Sequence, residues 1–435
     1  MTEPPQRDTG LAWLRRKAQS AVRLVTYKGG RAASRGLNLF VKDARHRQMR
    51  GRRAGRIAAE KTKNAGLTAV NLGRYAWRRL RTVHKPAIRF WRRNERARQQ
   101  RAAHTVEHRL ERDVRGRVSR DQPLILGPWF SEVGFEALYW VPFLRWLRAE
   151  HNWDPSRALA VSRGGVRSWY RDVAGHYLEL FDIIDPVTFA RRNEQRRGGP
   201  DGSHKQLAMS ALDQEIIDRA RAVPGFADAT VIHPSDMYHL FKNYWLGHRG
   251  LSYIEDRTRF AATVPSTTFD LSWLPRDYVA VKAYTAASLP DTADNRRILA
   301  GVVEQLSERG NVVTLDTGLA IDDHQDYRLA GHPRVYNLGR LMTPANNLEL
   351  QTAVIGGARA FIGTCGSLTW LAPMLGVPTV ALMSETRWLH QHLYLARKVY
   401  LEHGGASFAT VDVSGFKTLG IDVGSRIADA ARPGN

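Results

Sequence analysis

The sequence predicts an α/β protein: two doubly wound, Rossmann-like domains in succession, preceded by a basic helical extension. Three observations carry that expectation. Short apolar segments alternate with helix-length ones twice over between residues 121 and 400, which implies parallel strands covered by helices on both faces. A stretch with Thr, Ser and two prolines but no helical period, residues 260–275, separates the two runs and reads as an interdomain linker. The charge is also confined to one part of the chain. Residues 1–120 hold 33 Lys and Arg against 8 Asp and Glu, whereas residues 121–435 hold 32 against 34, so the net +23 belongs to the extension and the body is near neutral. The expected organisation is therefore an extension over 1–120, a first domain over 121–265, a second over 276–400 and a C-terminal tail over 401–435.

In the extension, Leu11, Leu14, Ala18, Val22 and Val25 recur at helical spacing, with Arg15, Arg16, Lys17 and Arg23 mostly between them. A second amphipathic segment spans 67–83, followed by Phe90-Trp91-Arg92-Arg93. Aromatic and aliphatic residues beside cations suit an anionic membrane surface, where the ring sits at headgroup level. Trp13, Leu14, Trp77 and Trp91 are the expected membrane contacts. Nucleic acid is the competing polyanion, disfavoured because no zinc-finger or RNA-binding sheet pattern accompanies the charge. A third reading is a solvated, partly helical extension with no fixed ligand. The start lacks the basic-then-apolar order of a signal peptide, and no run of about 18 apolar residues spans a bilayer. The single cysteine, Cys365, can form neither an internal disulfide nor a multi-thiolate site and fits a reducing compartment. The expected location is cytoplasmic, peripheral to the inner leaflet.

In the body, Leu124-Ile125-Leu126-Gly127 reads as a buried strand and 136–150 as the helix after it. Residues 158–162 form the next strand, entering Arg163-Gly164-Gly165, and a helix is expected from about Trp169 to Phe181. Residues 191–205 read as a surface loop, 207–222 as a helix and 230–232 as a strand. In the second run, 278–282, 312–315, 334–337, 360–362 and 379–382 read as strands, and 295–309, 346–356 and 367–375 as helices.

The sharpest local feature is Phe361-Ile362-Gly363-Thr364-Cys365-Gly366-Ser367, a strand entering a Gly-x-x-Gly-Ser turn before a helix. Glycines permit close backbone approach and a helix start presents free N–H groups, so diphosphate is the expected guest of Gly363, Thr364, Gly366 and Ser367. The alternative is that the glycines only allow a helix to pack on the sheet. Lys282 ends the first strand of the second run at the carboxyl edge, where ligands of open α/β sheets bind. Arg163 is a second candidate for phosphate. Lys282 is equally readable as an ordinary surface lysine at a strand end.

This turn, the following Trp370-Leu371-Ala372-Pro373-Met374-Leu375-Gly376-Val377-Pro378-Thr379, and Ser384-Glu385 beyond it resemble the C-terminal half of GT-B glycosyltransferases, closest to the heptosyltransferase and fucosyltransferase types. The resemblance implies two facing Rossmann-like domains and transfer of a sugar from a nucleotide-sugar held by the second domain to a glycan or lipid-linked acceptor. It also implies that no bound metal or resident cofactor is needed, with the nucleotide-sugar entering as co-substrate, and it adds Glu385 to the donor side. Sugar transfer needs a base for the acceptor hydroxyl. Glu132 is the first candidate and Glu136 the second, both in the loop that enters the first helix, where either is equally able to cap it. Trp129 and Phe130 are expected to stack on the acceptor or to join the core. Asp316, Asp322, Asp323 and His324 match no metal-ligand spacing. His233, Ser235 and Asp236 lack the Gly-x-Ser-x-Gly elbow of a hydrolase and read as loop. The rival function is a non-catalytic nucleotide- or partner-binding body with a nucleic-acid-binding arm.

Overall fold

The computed structural model describes residues 98, 104–119, 121–197, 205–319, 325–327, 333–386, 389–403 and 406–414, all within one compact unit, Arg98–Asn435. The expected membrane contacts Trp13, Leu14, Trp77 and Trp91 lie outside the described residues, as do Asp322, Asp323 and His324.

Two all-parallel sheets organise this unit. The first contains β1 (Leu124–Leu126), β2 (Ala158–Ser162), β3 (His176–Glu179) and β4 (Thr230–Ile232), in the order β3-β2-β1-β4. The second contains β5 (Tyr278–Lys282), β6 (Asn311–Thr314), β7 (Val335–Asn337), β8 (Ala360–Thr364), β9 (Thr379–Met383) and β10 (Phe408–Asp412), in the order β10-β9-β8-β5-β6-β7. Counted from its own first strand, the second sheet has the 3-2-1-4-5-6 order of a dinucleotide-binding fold, and the first has the opening four strands of that order. The order reverses between β1 and β4 in one sheet and between β5 and β8 in the other. Strands buried on both faces need continuous apolar side chains, and β1, β2, β8 and β9 are buried along their whole length.

Several elements differ from the sequence expectation; helices Leu251–Glu255 and His390–His403, for example, lie in stretches given no helix. The helix expected over 169–181 is only Arg167–Tyr170, and the chain then forms the edge strand β3. Gly175 turns the chain there, its N–H donating to Pro155 O, and β3 is only half-buried, so it carries no apolar run to announce it. The start of the stretch 191–205, read as loop, is the end of a helix, Pro186–Arg197, that starts on proline with Asp185 accepting from Thr188 N (2.9 Å) and Phe189 buried. His233 is the cap of helix Pro234–Trp245, which also begins on proline. Within the stretch 401–435, read as tail, Phe408–Asp412 pairs with β9 along five residues as the last strand of the sheet.

The end of the basic extension also belongs to this unit. A helix over 104–118 buries Val114 and Val118 in the core. It is tied down by Arg117, which donates to Val231 O (2.8 Å) and Asp236 Oδ1 (2.7 Å), and by Glu111 with Arg257 (2.8 Å). Among the described residues no helix is long and apolar enough to cross a membrane.

Candidate functional site

The first strand–helix connection carries both expected carboxylates. After β1 the chain enters short helix Val133–Phe135, a single π-helical stretch Glu136–Trp140, and α-helix Val141–His151. A π turn inserts one residue into the helical ladder and re-aims the side chains around it. Glu132 occupies the N-cap position, half-buried, with no side-chain capping bond, and its charge acts on Lys205, which lies 5.0 Å over the Phe135 ring and 5.3 Å over Trp245. Glu136 is fully buried. Its Oε1 accepts from Ser162 Oγ (2.6 Å) and Tyr170 OH (2.6 Å), while Oε2 accepts no hydrogen bond among the described residues. Burial pushes this carboxyl up to about 7, although the two hydroxyls and the nearby Arg163 guanidinium pull the other way.

The two aromatic residues expected at an acceptor are placed in the core. Trp129 is fully buried, stacked on Trp140 (5.8 Å) and Tyr238 (6.0 Å). Phe130 packs edge-on against Phe189 (5.5 Å), and its N–H donates to Gln206 Oε1 (2.8 Å). Rings beside a strand end serve packing and stacking equally well, so their position in the sequence does not separate the two roles.

Loops at the carboxyl ends of β1 and β2 meet those of the second sheet. Gly134 lies so close to Ser367 that a Cβ would stand 2.7 Å from Ser367 N and 3.0 Å from Trp370 Cδ1. Gly164 O accepts from the N–H groups of Leu348 (2.9 Å) and Glu349 (2.8 Å), which begin helix Asn347–Gly356. The N–H groups of Gly164 and Gly165 donate to the two Glu179 oxygens (3.0 and 2.8 Å), so that glycine pair already holds an internal carboxylate. Both glycines have left-handed φ, +81° and +79°, which turns their amides toward Glu179.

Between these loops lies a crevice at the switch point of the second sheet, lined by Val133, Arg163, Lys282, Tyr284, Asp326, Gln351 and Ser367 among others. The enclosed space is small, about 70 Å³. Lys282, opposite Gly363 in the β5–β8 register, donates to Leu315 O (2.8 Å) and pairs with Asp326 Oδ1 (2.7 Å). Asp326 also accepts from Thr317 N (2.6 Å). Arg163, nearly buried, donates from Nη2 to Ser131 O (3.2 Å). Because Lys282 and Asp326 are each nearly buried, removing one partner strands the other's charge. Lys282→Ala is expected to cost about 3 kcal/mol in stability, and adding Asp326→Ala to recover part of it, as a double-mutant cycle of urea midpoints would read.

The Gly363–Ser367 turn uses most of its polar groups internally. The fully buried Thr364 hydroxyl accepts from Tyr284 N and donates to Tyr284 O (both 2.9 Å), clipping β8 to the chain beyond β5. Thr369 Oγ1 accepts from Gly366 N (2.9 Å) and donates to Gly366 O (2.6 Å). Gly363 is crowded by Lys282 O, and a Cβ at Gly366, whose φ is +131°, would meet Tyr284 OH at 2.9 Å. The helix that follows is only Leu368–Leu371, with Ala372–Leu375 a 3-10 turn. Ser367 is held at φ 44°, ψ −122°, a backbone region unusual for a side-chain-bearing residue. Glu385 stands beyond β9, its N–H donating to Ser288 O, and does not line the crevice.

His233 Nε2 lies 3.0 Å from Asp213 Oδ1, and His233 Nδ1 2.8 Å from Ser235 Oγ. The contacts have the appearance of a hydrolytic relay, but the same ring nitrogen accepts from Ser235 N and the same Asp213 caps helix Ala211–Arg221 and holds Gln206. They are helix caps. Cys365 is buried, and burial pushes its thiol up to about 12. Among the described residues no group of three or more His, Cys, Asp or Glu side chains converges as a metal would require.

Tyr284, Asp326 and Gln351 were missed by sequence reasoning. Asp326 has no local pattern to announce it. Gln351 had one: with Asn347 it forms an i, i+4 polar pair on the helix Asn347–Gly356.

No protein-family model matches the chain, and no curated protein matches it. Among solved structures it is similar to the glycosyl transferase family 9 protein of Veillonella parvula DSM 2008, at 12% identity and TM-score 0.39, over 72% of this chain and 96% of that one. It is likewise similar to the E. coli ADP-heptose LPS heptosyltransferase II, at 14% identity and TM-score 0.38, over 71% and 97%. A putative UDP-N-acetylglucosamine 2-epimerase from Listeria monocytogenes is similar at 11% identity and TM-score 0.30, over 72% and 90%. The likeness is one of fold.

Proposed function

We propose that the protein transfers a sugar from a nucleotide-sugar to a glycan or lipid-linked acceptor. The observation that supports this most is the crevice at the β5–β8 switch point, where Lys282 and Ser367 of the second sheet face Arg163 of the first. In this reading the donor diphosphate enters between Lys282 and Arg163, whose charges stabilise it as it leaves. Lys282 then exchanges Asp326 for phosphate. In the same reading Glu136, two residues past Gly134 and fully buried rather than lining the crevice, is the base for the attacking hydroxyl, its carboxyl poised near neutrality. In this reading the domains part to admit the donor and close over it, excluding water. The basic extension would keep the enzyme at an anionic cytoplasmic leaflet, a role supported by its composition.

The test is calorimetric titration of the full-length protein with UDP, GDP, ADP and CMP. One nucleotide is expected to bind saturably, and Gly366→Val, which drives a side chain toward Tyr284 OH, to abolish its binding while circular dichroism stays unchanged. A folded protein that bound none of the four would sink the reading.

A further inference from the structure

Gln351 is 2% exposed and lines the crevice from the second turn of helix Asn347–Gly356. Its Nε2 donates to Asn347 O (3.0 Å) and approaches Asn347 Oδ1 (3.3 Å). A backbone carbonyl can only accept, so the amide orientation follows from chemistry: the nitrogen is turned to Asn347 and the oxygen is the free end. That oxygen, Oε1, accepts no hydrogen bond among the described residues. Asn347 does not relieve it, because its own Nδ2 is committed to Pro344 O (2.8 Å) and Thr343 O (3.3 Å). A buried acceptor left without a donor is costly and uncommon, and in a site wall it marks where a ligand's donor belongs.

We infer that Gln351 Oε1 accepts a hydrogen bond from a hydroxyl of the donor's transferred sugar, making Gln351 a specificity-determining residue. The inference rests on the nucleotide-sugar reading above and deepens it. The complementary chemistry of the crevice favours this class of group. Lys282 and Arg163 supply positive charge for a diphosphate, whereas the diphosphate itself, bearing no proton at neutral pH, cannot satisfy an acceptor. A sugar hydroxyl attached to that diphosphate can. A site whose buried acceptor needs a donor also discriminates strongly against ligands that lack one.

The test pairs each nucleoside diphosphate with its sugar conjugate: UDP with UDP-glucose, GDP with GDP-mannose and ADP with ADP-glucose, titrated into wild type, Gln351→Met and Gln351→Glu. In Gln351→Met the sugar conjugate should weaken roughly fivefold or more while the diphosphate alone changes less than twofold, because only one neutral hydrogen bond is lost. Gln351→Glu keeps an oxygen acceptor and should restore much of the preference for the conjugate. The melting temperature of unliganded Gln351→Met should not fall, since the substitution removes an unsatisfied buried oxygen. Equal weakening of conjugate and diphosphate in both variants, or no weakening of either, would overturn the inference and leave water as the partner of Oε1. Wild type that binds no diphosphate at all would overturn the function reading itself, so the two failures are distinguishable.

Discussion

Glu136→Gln is expected to lose roughly a hundredfold or more of the proposed sugar transfer and, above neutral pH, to be more stable than wild type. The two effects have one cause. The Glu136 carboxyl is raised from 4.5 to about 7 by burial, so the folded protein holds its proton more tightly than the unfolded chain. Such a group contributes its full stability below the unfolded pKa, and that contribution is lost as pH rises from about 4.5 through 7. The loss amounts to about 3 kcal/mol by pH 8. Glutamine fills the same space, still accepts from Ser162 and Tyr170 through its oxygen, and cannot ionise. Urea midpoints measured from pH 4 to 9 should therefore fall with pH in wild type and run flatter in Glu136→Gln. In turnover the sign is opposite: a base works only when deprotonated, so kcat/KM should climb through about 7 and level off. Removing the base should cost roughly a hundredfold or more. A Glu136→Gln enzyme that kept its rate and lost only the pH slope in stability would return the base role to Glu132.

How far the sequence discloses this site depends on whether a residue's role is local. β5 is legible to its last residue because a strand buried on both faces must be a continuous apolar run, and Lys282 stands out as the charge that ends it. β3 and β10 escape the same logic, since edge strands are half-buried and carry His176, Tyr177 and Asp412 without penalty. The Gly363–Ser367 turn is visible as a turn, yet the sequence does not say that Thr364 and Thr369 spend their hydroxyls on the backbone beside them. Lys282 and Arg163 meet in the crevice as their strand ends suggest. Asp326 is invisible because its partner Lys282 lies 44 residues earlier and only the fold joins them. The acidity of Glu136 is a property of burial among Ser162, Tyr170 and Arg163, which no spacing in the chain encodes.

Gly134→Val should be the most disruptive single substitution at the meeting of the two sheets. Gly134 sits in the short helix Val133–Phe135, buried and without a left-handed φ, so its backbone would tolerate a side chain and only space forbids one. The atoms in the way are Ser367 N at 2.7 Å, Trp370 Cδ1 at 3.0 Å and Ser367 Cα at 3.2 Å. Two of the three are backbone, and Trp370 is itself buried, its ring 5.8 Å from Phe408 and its carbonyl taken by Tyr400 OH (2.6 Å). Nothing there is the free end of a flexible side chain. Relief requires the first helix and the Cys365–Leu368 loop to separate, which removes Val133 and Ser367 from a common crevice wall. The expected result is a stability loss of about 2–4 kcal/mol, typical of overpacking against atoms that cannot yield, together with loss of nucleotide binding. Gly116→Ala is the matched control. It lies in the 104–118 helix with nothing within 4 Å of a new Cβ and should stabilise by roughly 0.5–1 kcal/mol through helix propensity alone. If Gly134→Val unfolded at the wild-type urea midpoint while Gly116→Ala shifted as expected, the Gly134–Ser367 contact would contribute nothing in solution. The resting protein would then be open at the crevice, with the donor binding first to Lys282 and Ser367 and the sheets meeting only afterwards.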